Sequence, residues 1–348
     1  MRVVQHPRYV DMEKCIACGL CAEKCPKKVP NEYDAGLAKR KSAYVKYAQA
    51  VPLKYAIDDH CIFLNKGKCK ACEKFCPTGA VNFEDREKEI TLNVGAVIIA
   101  PGCSVYDPGV YDIYAYKTSP NIVTSLEFER ILAATGPSGG HVLRPSDNKE
   151  PENIAWIQCV GSRDLHPGSQ PYCSGVCCTY AVKEAVIAKE HSKGALDTAI
   201  FYIDIRTHGK DFEQYYNRAR ETGVRFIKSK ISNILPVDDT GNLAIGYVNE
   251  TGQRIQETFD MVVLSVGFNV SAQAVRLSQK LGIELDTYQQ AVTGSFEPVQ
   301  TSKPGIFVCG TFESPKDIPQ SVIESSACAA MAEQTLAESR GTMARTKE

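Results

Sequence analysis

Three observations predict a mixed fold, α/β in its larger part and α+β overall. Cys15, Cys18, Cys21 and Cys25-Pro26 are spaced C-x2-C-x2-C-x3-C-P, and Cys61, Cys69, Cys72 and Cys76-Pro77 follow as C-x7-C-x2-C-x3-C-P. From Asn153 onward short apolar runs alternate with amphipathic stretches, the pattern of strand–helix–strand units around a parallel sheet. Two further apolar runs, 94–100 and 306–309, each lead into a glycine, Gly102 and Gly310.

The first observation carries chemistry. Three thiolates with two residues between them wrap one corner of a cubane iron–sulfur cluster, while the fourth, followed by proline, leaves that loop toward a second cluster. Zinc takes two separated C-x2-C pairs, and neither disulfides nor packing cysteines require this run. The segment therefore reads as a bacterial-type ferredoxin holding two [4Fe-4S] clusters. Ligand crossing predicts Cys15, Cys18, Cys21 and Cys76 on one cluster, with Cys25, Cys61, Cys69 and Cys72 on the other.

Composition bounds the rest. A chain of 348 residues has room for two or three domains. Lys+Arg 40 against Asp+Glu 41 gives a net charge of -1, and no basic tract with interleaved aromatics is present, which argues against nucleic-acid binding. Fifteen cysteines in cluster spacing, no apolar leader after Met1 and no apolar run that could span a bilayer predict a soluble, cytoplasmic protein of a reducing compartment.

In chain order, residues 1–14 are expected to form a strand leading into the first cluster loop, and 37–55 a surface excursion with one short helix. Residues 80–92 read as two strands around a charged turn, and 94–102 as a fully buried parallel strand. A helix is expected over 125–134. The alternating unit follows: strand 154–159, helix 175–191, strand 199–205, helix 211–221 and strand 224–227. A polar meander with turns at 239–242 and 249–252 leads to a closing strand, 261–266. Strand 306–309 and a helix over 320–339 complete the chain.

A dinucleotide fold requires G-x-G-x-x-G after its first strand, so that backbone amides reach the pyrophosphate. Here that turn is Gln158-Cys159-Val160-Gly161-Ser162-Arg163-Asp164, with a single glycine, which argues against nicotinamide binding. Four cysteines occupy the place instead: Cys159, then Cys173, Cys177 and Cys178, spaced C-x13-C-x3-C-C at a helix start that favours thiolates. A third cluster, a redox-active dithiol and packing cysteines all remain open on spacing alone. Cys103, Cys309 and Cys328 have no partner at ligand spacing and read as packing residues.

Four stretches together carry a family resemblance: Cys159-Val160-Gly161-Ser162-Arg163-Asp164, Tyr172-Cys173-Ser174-Gly175-Val176-Cys177-Cys178, 201–210 with its Asp204-Ile205-Arg206-Thr207-His208-Gly209, and Gly310-Thr311-Phe312-Glu313-Ser314-Pro315-Lys316-Asp317-Ile318-Pro319. The chain resembles the A-subunit family of heterodisulfide reductase, its flavin and iron–sulfur component. The resemblance implies a partial thioredoxin-reductase-like flavoprotein of two dinucleotide-binding domains with the ferredoxin module inserted. Its divisions would be 1–92 for the clusters, 93–150 with 267–348 for FAD, and 151–266 for the nicotinamide-domain-like unit with its extra cluster on Cys159, Cys173, Cys177 and Cys178.

It further implies that Gly102, Gly310 and Thr311 face the flavin, with Thr311 standing where relatives place an aspartate. Ile318, Pro319 and Gln320 would present backbone amides to the pyrimidine side. Lys183 and Lys316 are the implied cations beside the isoalloxazine, weighed against ordinary solvated lysines, with Glu127 and Glu129 as weaker candidates. Family members normally begin with a further cluster site and the FAD fingerprint, and many end in another ferredoxin module. Neither is in this sequence, so a partner polypeptide that completes the FAD domain, or a longer gene product, is expected.

The expected function is that of an oxidoreductase component that passes or bifurcates electrons between FAD and [4Fe-4S] clusters. Its implied partners are disulfide-reducing subunits on one side and hydrogenase- or formate-linked subunits on the other. The alternatives are an electron relay without flavin and a free-standing NAD(P)H-dependent disulfide reductase, the last disfavoured by the missing glycine fingerprint.

Overall fold

The computed structural model describes residues 1–166, 168–237 and 240–337. It divides into two compact units, Met1–Asn93 with Ala133–Gly140, and Val94–Leu132 with His141–Glu348.

In the first unit, strand Arg2–Gln5 pairs antiparallel with Lys88–Thr91, matching Arg2 to Thr91 and Gln5 to Lys88. The two strands expected around a charged turn in 80–92 are thus one. The earlier half, with Ala80, Val81 and Phe83 buried, joins the core and forms no strand, only an isolated bridge between Val10 and Val81. Nor does 37–55 hold a helix. Lys28–Pro30 pairs with Lys39–Lys41, and Ala43–Tyr44 with Ala56–Ile57. Arg40 explains the strands: its guanidinium lies 3.6 Å from the Tyr44 ring centroid and donates to Asp58 at 2.7 Å and Glu32 at 3.0 Å, tying the excursion down in extended form. The core gathers Val10, Ala43, Ile57, Val81 and Phe83 with Cys15, Cys25, Cys61 and Cys72.

The second unit is built on a five-stranded parallel sheet, ordered Val224–Lys228, Asp197–Tyr202, Asn153–Val160, Met261–Val266, Ile122–Thr124. Helices Cys177–His191 and Phe212–Glu221 connect its first three strands in sequence, as the alternating pattern predicts. An antiparallel meander, Asn233–Val237, Asn242–Val248 and Arg254–Phe259, covers one face. Its Ile234, Leu243, Ile245 and Phe259 share a core with Ala155, Ile157, Phe201 and Leu264 of the sheet. The turn expected at 239–242 lies partly outside the described residues. The Cys177–His191 helix buries Ala181, Val182, Ala185 and Ala188.

A second sheet runs Thr293–Gly294, Glu297–Thr301, Ile306–Val308, Val97–Ile99, the last pair parallel with Ile306 matched to Val97. Val97–Ile99 is therefore an edge strand, and Ile98 is 45% exposed, in contrast to the fully buried strand that its apolar run predicts. Helix Ile318–Thr335 follows, capped by the Asp317 side chain, and its Cys328 is buried with Val299, Phe307 and Cys309. The last residues of the helix expected over 320–339 lie outside the described residues.

Candidate metal centres and an apolar groove

In the ferredoxin unit the chain folds its thiols around two cavities. Gly19 takes φ 85, and an added Cβ would approach the Tyr55 hydroxyl at 3.3 Å, so glycine lets the loop turn and close on that ring. The turn starts the short helix Leu20–Glu23. It brings Cys15, Cys18 and Cys21 to a cavity whose fourth thiol is Cys76, with Tyr55 on the same wall. A second cavity is lined by Cys25, Cys61, Cys69 and Cys72 with Lys27, Lys70 and Phe83. Both groupings cross between the sequence halves in the expected pattern.

Burial governs the thiols at each. Burial, reinforced by the neighbouring thiols of Cys15, Cys18 and Cys76, pushes the Cys21 thiol up to about 11. Burial and Cys61 push Cys72 to about 12. Burial also acts on Cys76, but the Thr78 hydroxyl and the amides of Ala80, Thr78 and Val81 outweigh it and hold this thiol below its ordinary range. The Ala80 amide reaches its sulfur at 3.2 Å. Crowded thiols of this kind ionise when iron neutralises them, and iron binding releases their protons.

A third cavity opens in the second unit, lined by Cys159, Cys173, Cys177 and Cys178 together with Arg163, Asp204 and Arg206. The register of strand Asn153–Val160 shifts between Ile157 and Val160, and Cys159 takes φ 61, which turns it out of the regular ladder. Gly175 at φ 74 cannot continue a helix, so the helix starts at Cys177 and not at 175. Ser162 and Ser174 share a hydrogen bond of 2.6 Å, and Ser174 Oγ accepts from the Phe268 amide at 3.0 Å, fastening the two thiol-bearing loops together. Burial pushes Cys177 to about 12 and Cys178 to about 11. Among the described residues no group of three or more His, Cys, Asp or Glu is arranged to hold a single metal ion. Four thiols spread around a cavity suit a polynuclear cluster better than zinc.

Beside the third cavity runs an open apolar groove of about 1290 Å³. Thr311, Ile318, Pro319, Lys183 and Lys316 line it, as do Val176, Tyr180 and Phe268. Gly102, Gly310 and Gln320 are chain neighbours of the lining residues Cys103, Thr311 and Pro319. Two implied amide contacts fail on chemical grounds: Pro319 has no N–H, and the Gln320 N–H is donated to Asp317 Oδ1 at 2.9 Å as part of the helix cap. Ile318 remains. Cys103 is exposed on this wall and is not a packing residue, whereas Cys309 and Cys328 are buried.

The two lysines are held in different ways. The Lys316 side chain is enclosed, and its Nζ donates to Glu313 Oε2 at 2.6 Å and Glu324 Oε1 at 2.5 Å. Glu324 Oε2 in turn accepts the Gly310 amide at 2.9 Å. Lys316 is therefore neither solvated nor a free cation, and two carboxylates compensate its charge. Lys183 pairs with Glu129, bringing that weaker candidate to the groove. Glu127 does other work. It accepts from the Thr124 amide at 2.6 Å while its own amide donates to Thr124 Oγ1 at 3.3 Å, a capping box for helix Ser125–Leu132. Sequence reasoning missed Glu184, fully buried with Trp156 Nε1 donating to it at 2.8 Å. It also missed the Arg163–Asp204–Arg206 group, although both stretches lie within the motifs that carry the family resemblance.

Thiols gathered in fours on an α/β scaffold define an iron–sulfur-binding protein, and residues 8–30 match the 4Fe-4S binding domain family. The chain is 42% identical over 333 residues to the iron-sulfur A-subunit of the CoB--CoM heterodisulfide reductase of Methanocaldococcus jannaschii, covering 94% of this chain and 50% of that protein. It is 37% identical over 336 residues to the A-subunit of the H(2):CoB-CoM heterodisulfide,ferredoxin reductase of Methanothermobacter marburgensis, covering 95% and 50%. A solved thioredoxin reductase of Lactococcus lactis aligns with 73% of this chain and 69% of its own at a TM-score of 0.46 and 20% identity. Over nearly its whole length the chain belongs to the A-subunit family of heterodisulfide reductase, and it spans about half the length of the curated relatives it matches.

Proposed function

We propose that the chain is the flavin and iron–sulfur electron-transferring part of a heterodisulfide-reductase-like oxidoreductase, passing or bifurcating electrons between FAD and three [4Fe-4S] clusters. The observation that carries this reading is the shared wall of two sites: Val176 lines both the third thiol cavity and the apolar groove. A redox group in the groove would lie against the cluster site.

The residues present fit both groups. Eight cysteines in the ferredoxin unit and four in the second are grouped around cavities, and the groove offers flat apolar walls from Val176, Tyr180, Phe268 and Pro319. When bound, FAD supplies paired-electron redox chemistry and each cluster carries single electrons. The chain's own part is to exclude water with those walls and to hold Lys183, steadied by Glu129, at the groove as a cation and proton donor. The domain divisions 1–92, 93–150 with 267–348, and 151–266 belong to this reading. So do disulfide-reducing and hydrogenase- or formate-linked partner subunits and a cytoplasmic location. Among the described residues no helix is long and apolar enough to cross a membrane.

The test is anaerobic reconstitution followed by iron, acid-labile sulfide and flavin analysis. About twelve irons with bound FAD supports the proposal, and Cys177→Ala with Cys178→Ala should lower iron by about four. Unchanged iron in the double variant overturns the third cluster. Iron without flavin at excess FAD points to the relay reading.

A further inference from the structure

The three thiol cavities differ in the charge on their walls. The first carries no Lys, Arg, Asp or Glu, the second carries Lys27 and Lys70, and the third carries Arg163, Arg206 and Asp204. The third group is a fixed assembly. Arg163 follows the Cys159 turn with its backbone at φ 55, and Asp204 lies just past the neighbouring strand, which pairs Phe201 with Ile157. Arg163 grips Asp204 with both terminal nitrogens, Nη1 to Oδ1 at 2.6 Å and Nη2 to Oδ2 at 3.1 Å. Arg206 approaches the same carboxylate from Nε at 3.2 Å and Nη2 at 3.3 Å. Arg163 and Cys159 line the same cavity, so the guanidinium charge stands on the wall beside the Cys159 sulfur. The fork leaves Arg163 little freedom to swing away, and the assembly of two guanidiniums and one carboxylate keeps a net positive charge.

We infer that Arg163 is a positioning residue that raises the reduction potential of the cluster held by Cys159, Cys173, Cys177 and Cys178, with Asp204 as its clamp and partial counterweight. The inference rests on the proposed assignment of those four cysteines as cluster ligands. A cluster that gains an electron becomes more negative. A cation fixed on the wall of its cavity stabilises the reduced form, and an adjacent carboxylate opposes that effect. Guanidinium does not deprotonate in proteins, so the effect of Arg163 persists across the working pH range. No guanidinium lines the first ferredoxin cavity, where Lys54 Nζ donates instead to the Cys15 carbonyl at 2.5 Å; the raised potential makes the third site an electron sink beside the groove.

The experiment is an electron paramagnetic resonance redox titration of the anaerobically reconstituted chain. The third cluster's signal is identified as the one absent from the Cys177→Ala, Cys178→Ala variant. Arg163→Gln should lower the midpoint of that signal alone, leaving iron content and the other two midpoints unchanged, and Arg163→Lys should restore part of the shift. Asp204→Asn removes a negative charge and should move the same midpoint up. A purely structural role would move both variants in one direction or neither. If Arg163→Gln sheds its third cluster, Asp204→Asn decides: an upward shift supports the inference and an unmoved midpoint overturns it. Full iron with no shift in Arg163→Gln also overturns it. A wild-type chain with iron for only two clusters overturns the ligand assignment itself, a result separable by the iron count.

Discussion

Glu184 projects from the Cys177–His191 helix into the interior, where Trp156 donates to Oε2 at 2.8 Å while Glu129 and Lys183 stand nearby. Burial, with the Glu129 carboxylate, raises its pKa well above the ordinary value of 4.5, despite opposing contributions from Trp156 and Lys183. Such a group binds its proton more tightly in the fold than in the unfolded chain. Its contribution to stability is full below about pH 4.5 and is lost as pH rises toward the folded value. Glu184→Gln cannot ionise. Its melting temperature should therefore exceed that of the parent by a margin that widens between about pH 5 and pH 8, and a constant margin would contradict a protonated Glu184. No sequence signal marks this residue, because Trp156 and Glu184 meet only across the sheet–helix packing. The eight cysteines of the ferredoxin unit are legible residue by residue, since the spacing of such loops is set by local backbone reach.

Among the elements, the turn from strand Asn153–Val160 into the third thiol site depends most on a single residue. Gly161 takes φ 73, and a Cβ there would lie 2.1 Å from Cγ of Tyr106, itself buried at 2% exposure. Gly161→Ala should cost about 2–5 kcal/mol, from left-handed strain and overpacking together, read as a lower denaturant midpoint with less iron retained at the third site. A stability within about 0.5 kcal/mol of the parent would show that the ring moves aside freely. Sequence periodicity locates the strands and helices of the parallel sheet closely, because buried β-branched runs and amphipathic helices advertise themselves. It fails where tertiary partners decide. Lys88–Thr91 is extended because it pairs with Arg2–Gln5 across the whole first unit, and Val97–Ile99 sits at a sheet edge that no local pattern reports.

For the whole molecule, the ferredoxin unit is legible from the cysteine runs alone. The second unit needs the family resemblance to give its four scattered cysteines a meaning. The groove is legible only in part: Thr311, Ile318 and Lys183 stand out in the sequence, whereas Cys103, Val176 and Phe268 come together from distant segments. In the proposed function this groove holds FAD against the third cluster site. Val322 lines the groove and is 57% exposed, so a charge there leaves the core untouched. Equilibrium titration of FAD into the reconstituted chain, parent against Val322→Glu, tests the claim most directly. The parent should bind FAD saturably and the variant more weakly by about tenfold or more, with iron content equal. Equal affinities, or no saturable FAD binding by the parent, would contradict it.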